Sequence, residues 1–205
     1  MHKIADISVE ADILACNKKI GEDNLNRLHA KGITSVDFMG AIGSGKTLLI
    51  TKLAVLMKEK GFRPAVIAGD LVGQDDYNRF TAAGIPALNL NTGKECHLDA
   101  HMVDLDSIDF LFIENVGNLV CPADFPLGTD RRVVVISVTE GDDMVRKQPM
   151  IFSSSDITVL NKMDIAPYMD SDISLLEKDY ATVTGGKKLI KTCAKTNEGL
   201  EELLQ

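Results

Sequence analysis

The sequence predicts an α/β fold, a mostly parallel sheet with helices on both faces, organised as one domain over residues 1–205. Three observations predict it. Strand-like blocks of Val, Ile and Leu alternate with helix-like stretches along the chain. Several of those blocks are continuously apolar, as strands buried on both faces are. A glycine-rich octapeptide, GAIGSGKT at 40–47, stands between one such block and a helical run, where a phosphate-binding loop belongs.

Taken in order, residues 1–32 read as a helical lead-in, with Ile13, Leu14, Asn17, Ile20, Leu25 and Leu28 giving a loose stripe. Gly21 predicts a bend or break in it. Strands are expected at 35–39, 64–68, 86–89, 109–114, 132–138, 156–160 and 188–191, and helices at 46–60, 74–83, 97–105, 142–151, 172–182 and 197–204. In such sheets ligands bind at the carboxyl ends of the strands, and each motif below falls there.

Bulk properties exclude several classes. A formal net charge of -8 argues against nucleic acid as the main partner, because phosphate-backbone binding needs a basic face. No apolar stretch reaches the length of a membrane span, and MHKIADISVEAD lacks the apolar core of a signal peptide, so the expected location is cytoplasmic. In that compartment Cys16, Cys96, Cys121 and Cys193 are thiols or metal ligands rather than structural disulfides.

The octapeptide has Gly40 and Gly45 with four residues between them, then Lys46 and Thr47. That spacing lets the backbone of Gly40, Ile42, Gly43, Ser44 and Gly45 wrap a phosphate chain with its N–H groups turned inward. Lys46 is then expected on the β- and γ-phosphates and Thr47 on Mg²⁺. Glu114 ends an apolar strand in ENVGN and suits Mg²⁺ or its water shell, while Gly117 suits close backbone approach to a γ-phosphate. Asp70, in AGDL, is a second Mg²⁺ candidate. Asp75, or its neighbour Asp76, is a candidate to place the attacking water; as acids at a helix start they also suit the helix dipole.

Asn161-Lys162-Met163-Asp164 follows another apolar strand and fits an N-K-x-D pattern. A carboxylate at Asp164 can accept N1–H and N2–H₂ of guanine together, a match adenine does not offer. Asn161 is expected on the base edge and the Lys162 stem over the ring. Thr192-Cys193-Ala194-Lys195 resembles the S-A-K loop of G proteins, which would put the Ala194 N–H near the guanine oxygen and Lys195 beside the base. The nucleotide expected is therefore GTP or GDP.

A second cluster, KECHLDAH, sets Cys96 beside His97 and places His101 four residues further on, on the same helical face. Cys121 comes four residues after Gly117. Three ligands from two strand-end loops with an open position suit Zn²⁺ or Ni²⁺. His101 is either a further ligand or a solvated helix residue. Cys16 and Cys193 read as structural.

Together GAIGSGKT, AGDL, GKECHLDAH, ENVGNLVCP, TEGDD with Lys147 and Pro149 beyond it, and NKMD resemble the hydrogenase-maturation nickel-insertion GTPases, the HypB family, from about residue 30 onward. The resemblance implies a P-loop NTPase of the SIMIBI-type G-domain class that hydrolyses GTP slowly. It implies Cys96, His97 and Cys121 as Ni²⁺ or Zn²⁺ ligands near a dimer interface, and a homodimer linked to nucleotide and metal. The partners implied are a zinc-binding HypA-type chaperone and the [NiFe] hydrogenase large subunit. The N-terminal Cys-rich or His-rich nickel motif of many bacterial members is absent from this sequence, and Met144 stands where many relatives have a second Lys. The urease accessory G protein is similar in fold but uses a Cys-Pro-His triplet not found here. Three alternatives remain at this level: a urease-type accessory GTPase, a G-protein switch without a metal role, and an ATP-using metabolic kinase, against which NKMD argues.

Overall fold

The computed structural model describes residues 2–70, 73–91, 107–119 and 125–205, with side chains from residue 14 onward apart from 70 and 91. Seven parallel strands form one sheet: β1 (Thr34–Met39), β2 (Pro64–Asp70), β3 (Ala87–Asn91), β4 (Phe110–Glu114), β5 (Arg131–Ser137), β6 (Ile157–Asn161) and β7 (Leu189–Lys191). Their order is β3-β2-β4-β1-β5-β6-β7, so the strand that feeds the glycine loop is central. Its register pairs Phe38 with Glu114 on one side and Met39 with Val134 on the other, so β1 and β4 end together while β5 runs three residues further, to Ser137. All seven expected strands are present, each within two residues of its expected ends.

One face of the sheet carries α2 (Lys46–Glu59), α3 (Asp75–Ala82) and α7 (Leu200–Leu203). They close over a single apolar cluster containing Phe38, Leu49, Leu53, Phe80, Phe112 and Val135. Each such fully buried side chain contributes roughly 1.5–3 kcal/mol. Phe38 meets Phe112 edge to face across adjacent strands, with ring centroids 5.5 Å apart.

The opposite face is divided. α1 (His2–Ala30) brings Leu28 against Ile33, Ile67, Leu111 and Ile113. α4 (Met144–Lys147), α5 (Pro149–Ser154) and α6 (Ile173–Thr184) cover Met39, Val134, Ile136 and Leu160. Between the two lies a polar seam. Strand alternation turns Ser35 and Asp37 of β1 to this side, and both are fully buried. Ser35 binds Asp130 through its N–H and hydroxyl, and Asn115 Nδ2 donates to Asp37 Oδ1 at 3.2 Å.

Three local expectations need correction. Gly21 does not break α1, which runs without interruption from His2 to Ala30. It lies buried where the 126–128 segment crosses the helix, and a Cβ there would meet Pro126 O at 3.2 Å and Gly128 N at 3.3 Å. Asn17 and Asn24, one turn to either side, donate to Pro126 O and Leu127 O, so the glycine is a docking point. The expected helix at 142–151 is two short helices, because Pro149 has no N–H to continue the first and instead opens the second. The last helix is one turn only, since Gly199 sits at φ 76 and Glu198 pairs with Cys193. The helix expected at 97–105 lies outside the described residues.

Candidate nucleotide-binding site

The glycine loop leaves the tip of β1 and enters α2 at Lys46. Gly45 is the hinge of that entry. Its φ of 97 is left-handed, and a Cβ would lie 2.4 Å from Asn161 Nδ2, so a side chain fails there on both counts. Lys46 is only 6% exposed and donates through Nζ to Gly40 O at 2.9 Å and Ala41 O at 3.1 Å, which holds the ammonium across the loop. Burial pushes its pKa down, and the charges of Glu114, Asp76 and Glu140 oppose that.

The Thr47 hydroxyl lies 2.9 Å from Asp76 Oδ1 and 2.8 Å from Glu114 Oε1. One hydroxyl has one proton to give, so the three oxygens share it. Glu114 is 3% exposed and its pKa is pushed up to about 7, first by burial and then by the Asp76 charge. Its Oε2 is buried without a hydrogen-bond partner. A hydroxyl and two carboxylates converging with an open, dry oxygen are a donor set that suits Mg²⁺.

These groups line a cleft of about 450 Å³ that also includes Ile42, Gly43, Arg79 and Gly117. Gly117 packs against Ile42 of the glycine loop. Asp75 does not line it. The two acids are neighbours on α3, about 100° apart around the helix, and only Asp76 faces inward while Asp75 is exposed. Asp70 ends β2 opposite Asn91, at the edge expected, and its side chain is outside the description. Glu140, which sequence reasoning missed, is half-buried beyond β5. Its Oε1 accepts the Ser137 N–H at 3.0 Å and its Oε2 is unpartnered. Burial raises its pKa against the pull of Ser137, Lys162 and Lys46. Its place just past a strand end was the signal that could have found it.

A second cavity, about 210 Å³, opens beside the first and is lined by Gly45, Leu48, Lys162, Asp164, Cys193, Ala194 and Lys195. Asp164 is exposed there, and Lys162 takes a left-handed conformation at φ 64 that starts a short 3-10 helix, Met163–Tyr168. Asn161 is only 2% exposed and plays a different part from the base contact expected of it. Its Nδ2 donates to Ser44 O, and its Oδ1 accepts from Thr192 Oγ1 and the Ala194 N–H, each at 3.1 Å. The Ala194 N–H, expected on the base, is thus bonded to Asn161. The amide ties the phosphate loop to the 192–195 segment.

The metal candidates Cys96, His97, His101 and Cys121 lie outside the described residues. Among the described residues, no group of three or more His, Cys, Asp or Glu could hold an ion. Cys193 is buried, as a structural thiol should be; Cys16 is exposed on α1, contrary to expectation, because it falls on the solvent side of the helix. Among the described residues no helix is long and apolar enough to cross a membrane.

A parallel sheet with a glycine loop at its central strand, Lys and Thr opening the next helix, and an Asn-Lys-Met-Asp turn at the far end of the same edge defines a P-loop nucleotide-binding protein. The model of the CobW/HypB/UreG nucleotide-binding domain matches residues 35–191. The probable hydrogenase maturation factor HypB of Methanocaldococcus jannaschii is 46% identical over 100% of this chain and 96% of its own. The hydrogenase maturation factor HypB of Escherichia coli K12 is 40% identical over 97% of this chain and 70% of its own. Among solved structures, HypB from Archaeoglobus fulgidus superposes with a TM-score of 0.82 at 43% identity, covering 93% of this chain and 96% of that one. HypB from Helicobacter pylori in complex with nickel gives 0.81 at 32% identity, covering 91% of each. An LAO/AO transport system kinase, at 16% identity and a TM-score of 0.61, shares the fold alone. The chain belongs to the CobW/HypB/UreG family, a P-loop GTPase family, and within it stands with the HypB hydrogenase maturation factors.

Proposed function

We propose that this protein is a GTP-hydrolysing metallochaperone that carries Ni²⁺, or Zn²⁺ at the same ligands, and assists nickel insertion into a [NiFe] hydrogenase. The observation that carries the GTPase half is the Thr47–Asp76–Glu114 oxygen cluster facing Lys46 across one cleft, beside a second cavity edged by Asp164. Thr47, Asp76 and Glu114 would hold Mg²⁺, which supplies charge neutralisation between the β- and γ-phosphates. Lys46 binds the phosphates, Gly117 closes on the terminal one, and Asp164 reads the guanine edge. Cys96, His97 and Cys121 take the metal cargo, with His101 as a further donor.

Gly117 touches the phosphate loop and Cys121 follows four residues later, so GTP binding and metal geometry share one short segment. GTP orders that segment and favours a homodimer; hydrolysis relaxes it and releases cargo to its recipient. A HypA-type zinc-binding chaperone and the hydrogenase large subunit are the partners, and the cytoplasm is the place of work. The test is Ni²⁺ binding to the wild type, Cys96→Ala and Cys121→Ala, each with GDP and with a non-hydrolysable GTP analogue, while oligomeric state is followed. Tight binding lost in both variants and altered by nucleotide is expected. Binding indifferent to both cysteines removes the metal half, and equal affinity in the two nucleotide states removes the gating. A relative from Helicobacter hepaticus, 31% identical, is named a hydrogenase/urease maturation factor, so delivery to urease is the second reading. The apoenzyme that gains activity decides between them.

A further inference from the structure

We propose that Arg79 is a catalytic residue of the GTPase, a guanidinium supplied within the same chain that meets the terminal phosphate once Asp76 has turned to the divalent cation. The inference rests on the GTPase reading above. Asp76 and Arg79 lie one turn apart on α3, on the face that looks into the 450 Å³ cleft, and Arg79 lines that cleft together with Lys46, Thr47 and Glu114. Lys46 and Arg79 are the cations of that lining among the described residues.

Arg79 is held loosely. Its side chain is 68% exposed, and Nη1 stands 3.9 Å from Asp76 Oδ1, beyond hydrogen-bond distance. Among the described residues it has no other ion-pair partner. Its charge is nonetheless felt at the buried Glu114 carboxyl, which places it within electrostatic reach of the reaction centre. An exposed i,i+3 pair of this kind contributes little to stability, so folding gives no reason for a guanidinium in the cleft.

Charge balance does give a reason. Asp76 is at once the Arg79 partner and one of the three oxygen groups that suit Mg²⁺. When Asp76 turns to a cation, Arg79 loses its counter-charge and gains the γ-phosphate, which Lys46, bound within the glycine loop, neutralises only in part. In hydrolysis the water oxygen forms the new bond to the γ-phosphorus as the bond to the bridging oxygen breaks. The electron pair leaves with GDP, and the proton of the water passes to the released phosphate. Negative charge grows on the oxygens that a planar guanidinium binds best.

The experiment compares wild type, Arg79→Ala and Arg79→Lys for GTP turnover, GDP affinity, and capture of aluminium fluoride by the GDP-bound form. Turnover is expected to fall roughly a hundredfold or more in Arg79→Ala. GDP affinity should stay within about twofold, aluminium fluoride capture should be lost, and Arg79→Lys should recover part of the rate without restoring full capture, since an ammonium is a point charge. Unchanged turnover in Arg79→Ala with an active wild type overturns the role of Arg79 alone. A fall in GDP affinity as large as the fall in rate also overturns it, because Arg79 would then be a ground-state anchor. A wild type that hydrolyses no GTP overturns the GTPase reading itself, and the role of Arg79 with it.

Discussion

Two buried carboxyls on neighbouring strands have nearly the same numbers and different lives. Glu114 ends β4 at the nucleotide edge; Asp37 sits mid-strand on β1, behind it. Each has an oxygen with no hydrogen-bond partner, and burial lifts both, to about 7 and about 6. Glu114 faces a cleft, a hydroxyl, a second carboxylate and a lysine, so its open oxygen has somewhere to act. Asp37 faces Asn115 and the charge of Arg132 within a closed seam between two apolar clusters. An elevated pKa therefore marks burial, and only the surroundings separate a working group from a structural one.

The largest effect is expected of Glu114→Gln. It keeps shape and removes charge, and Mg²⁺-dependent GTP turnover should fall by a factor on the order of a hundred or more, read by phosphate release. A variant with wild-type turnover would place Glu114 with Asp37 among structural groups.

Asp37→Asn should leave turnover within a few-fold and act on stability instead. The sign follows from the raised pKa. Folded Asp37 holds its proton up to about pH 6 whereas the unfolded group releases it near 3.8, so the native state gains stability as pH falls through 6 and loses it as pH rises. That swing is on the order of 3 kcal/mol between pH 4 and 7, and the variant should lack it. Urea unfolding at several pH values measures it; parallel wild-type and variant curves would show that Asp37 is not the source. Smaller still is Gly128→Ala, at the far end of the same face. Gly128 has φ 79, and a Cβ would run into Gly21 O, so a loss of about 1–2 kcal/mol is expected with nucleotide affinity unchanged. Equal midpoints in thermal melts would mean that α1 moves aside freely.

The sheet was legible because β2, β4, β5 and β6 are largely apolar runs with buried residues on both faces, and such runs read the same from sequence as in space. The phosphate end was legible because Gly40, Gly45, Lys46 and Thr47 are contiguous. What sequence could not supply was direction. It offered Asp75 and Asp76 equally, and only the phase of α3 chooses Asp76. It assigned Asn161 and Ala194 to the base, whereas distant chain segments claim both for each other. Gly21 read as a breaker because the segment that crosses it lies more than a hundred residues away, as the Asn17–Pro126 bond records. Arg79 belongs to no motif and becomes visible only as cleft lining, while Glu140 stands in the TEGDD stretch with nothing in the sequence to mark its burial or its charge.

The tie at Asn161 also bears on biogenesis. Its partners are Ser44, from the first third of the chain, and Thr192 and Ala194, almost the last residues of the sheet edge. Synthesis proceeds from the N-terminus, so a nascent chain exposes its complete glycine loop long before the segment that braces it has emerged. Until then Asn161 has nothing to hold its carbonyl, and the loop rests on an unanchored amide. An unfinished chain therefore lacks the brace that ties its phosphate loop to the 192–195 segment.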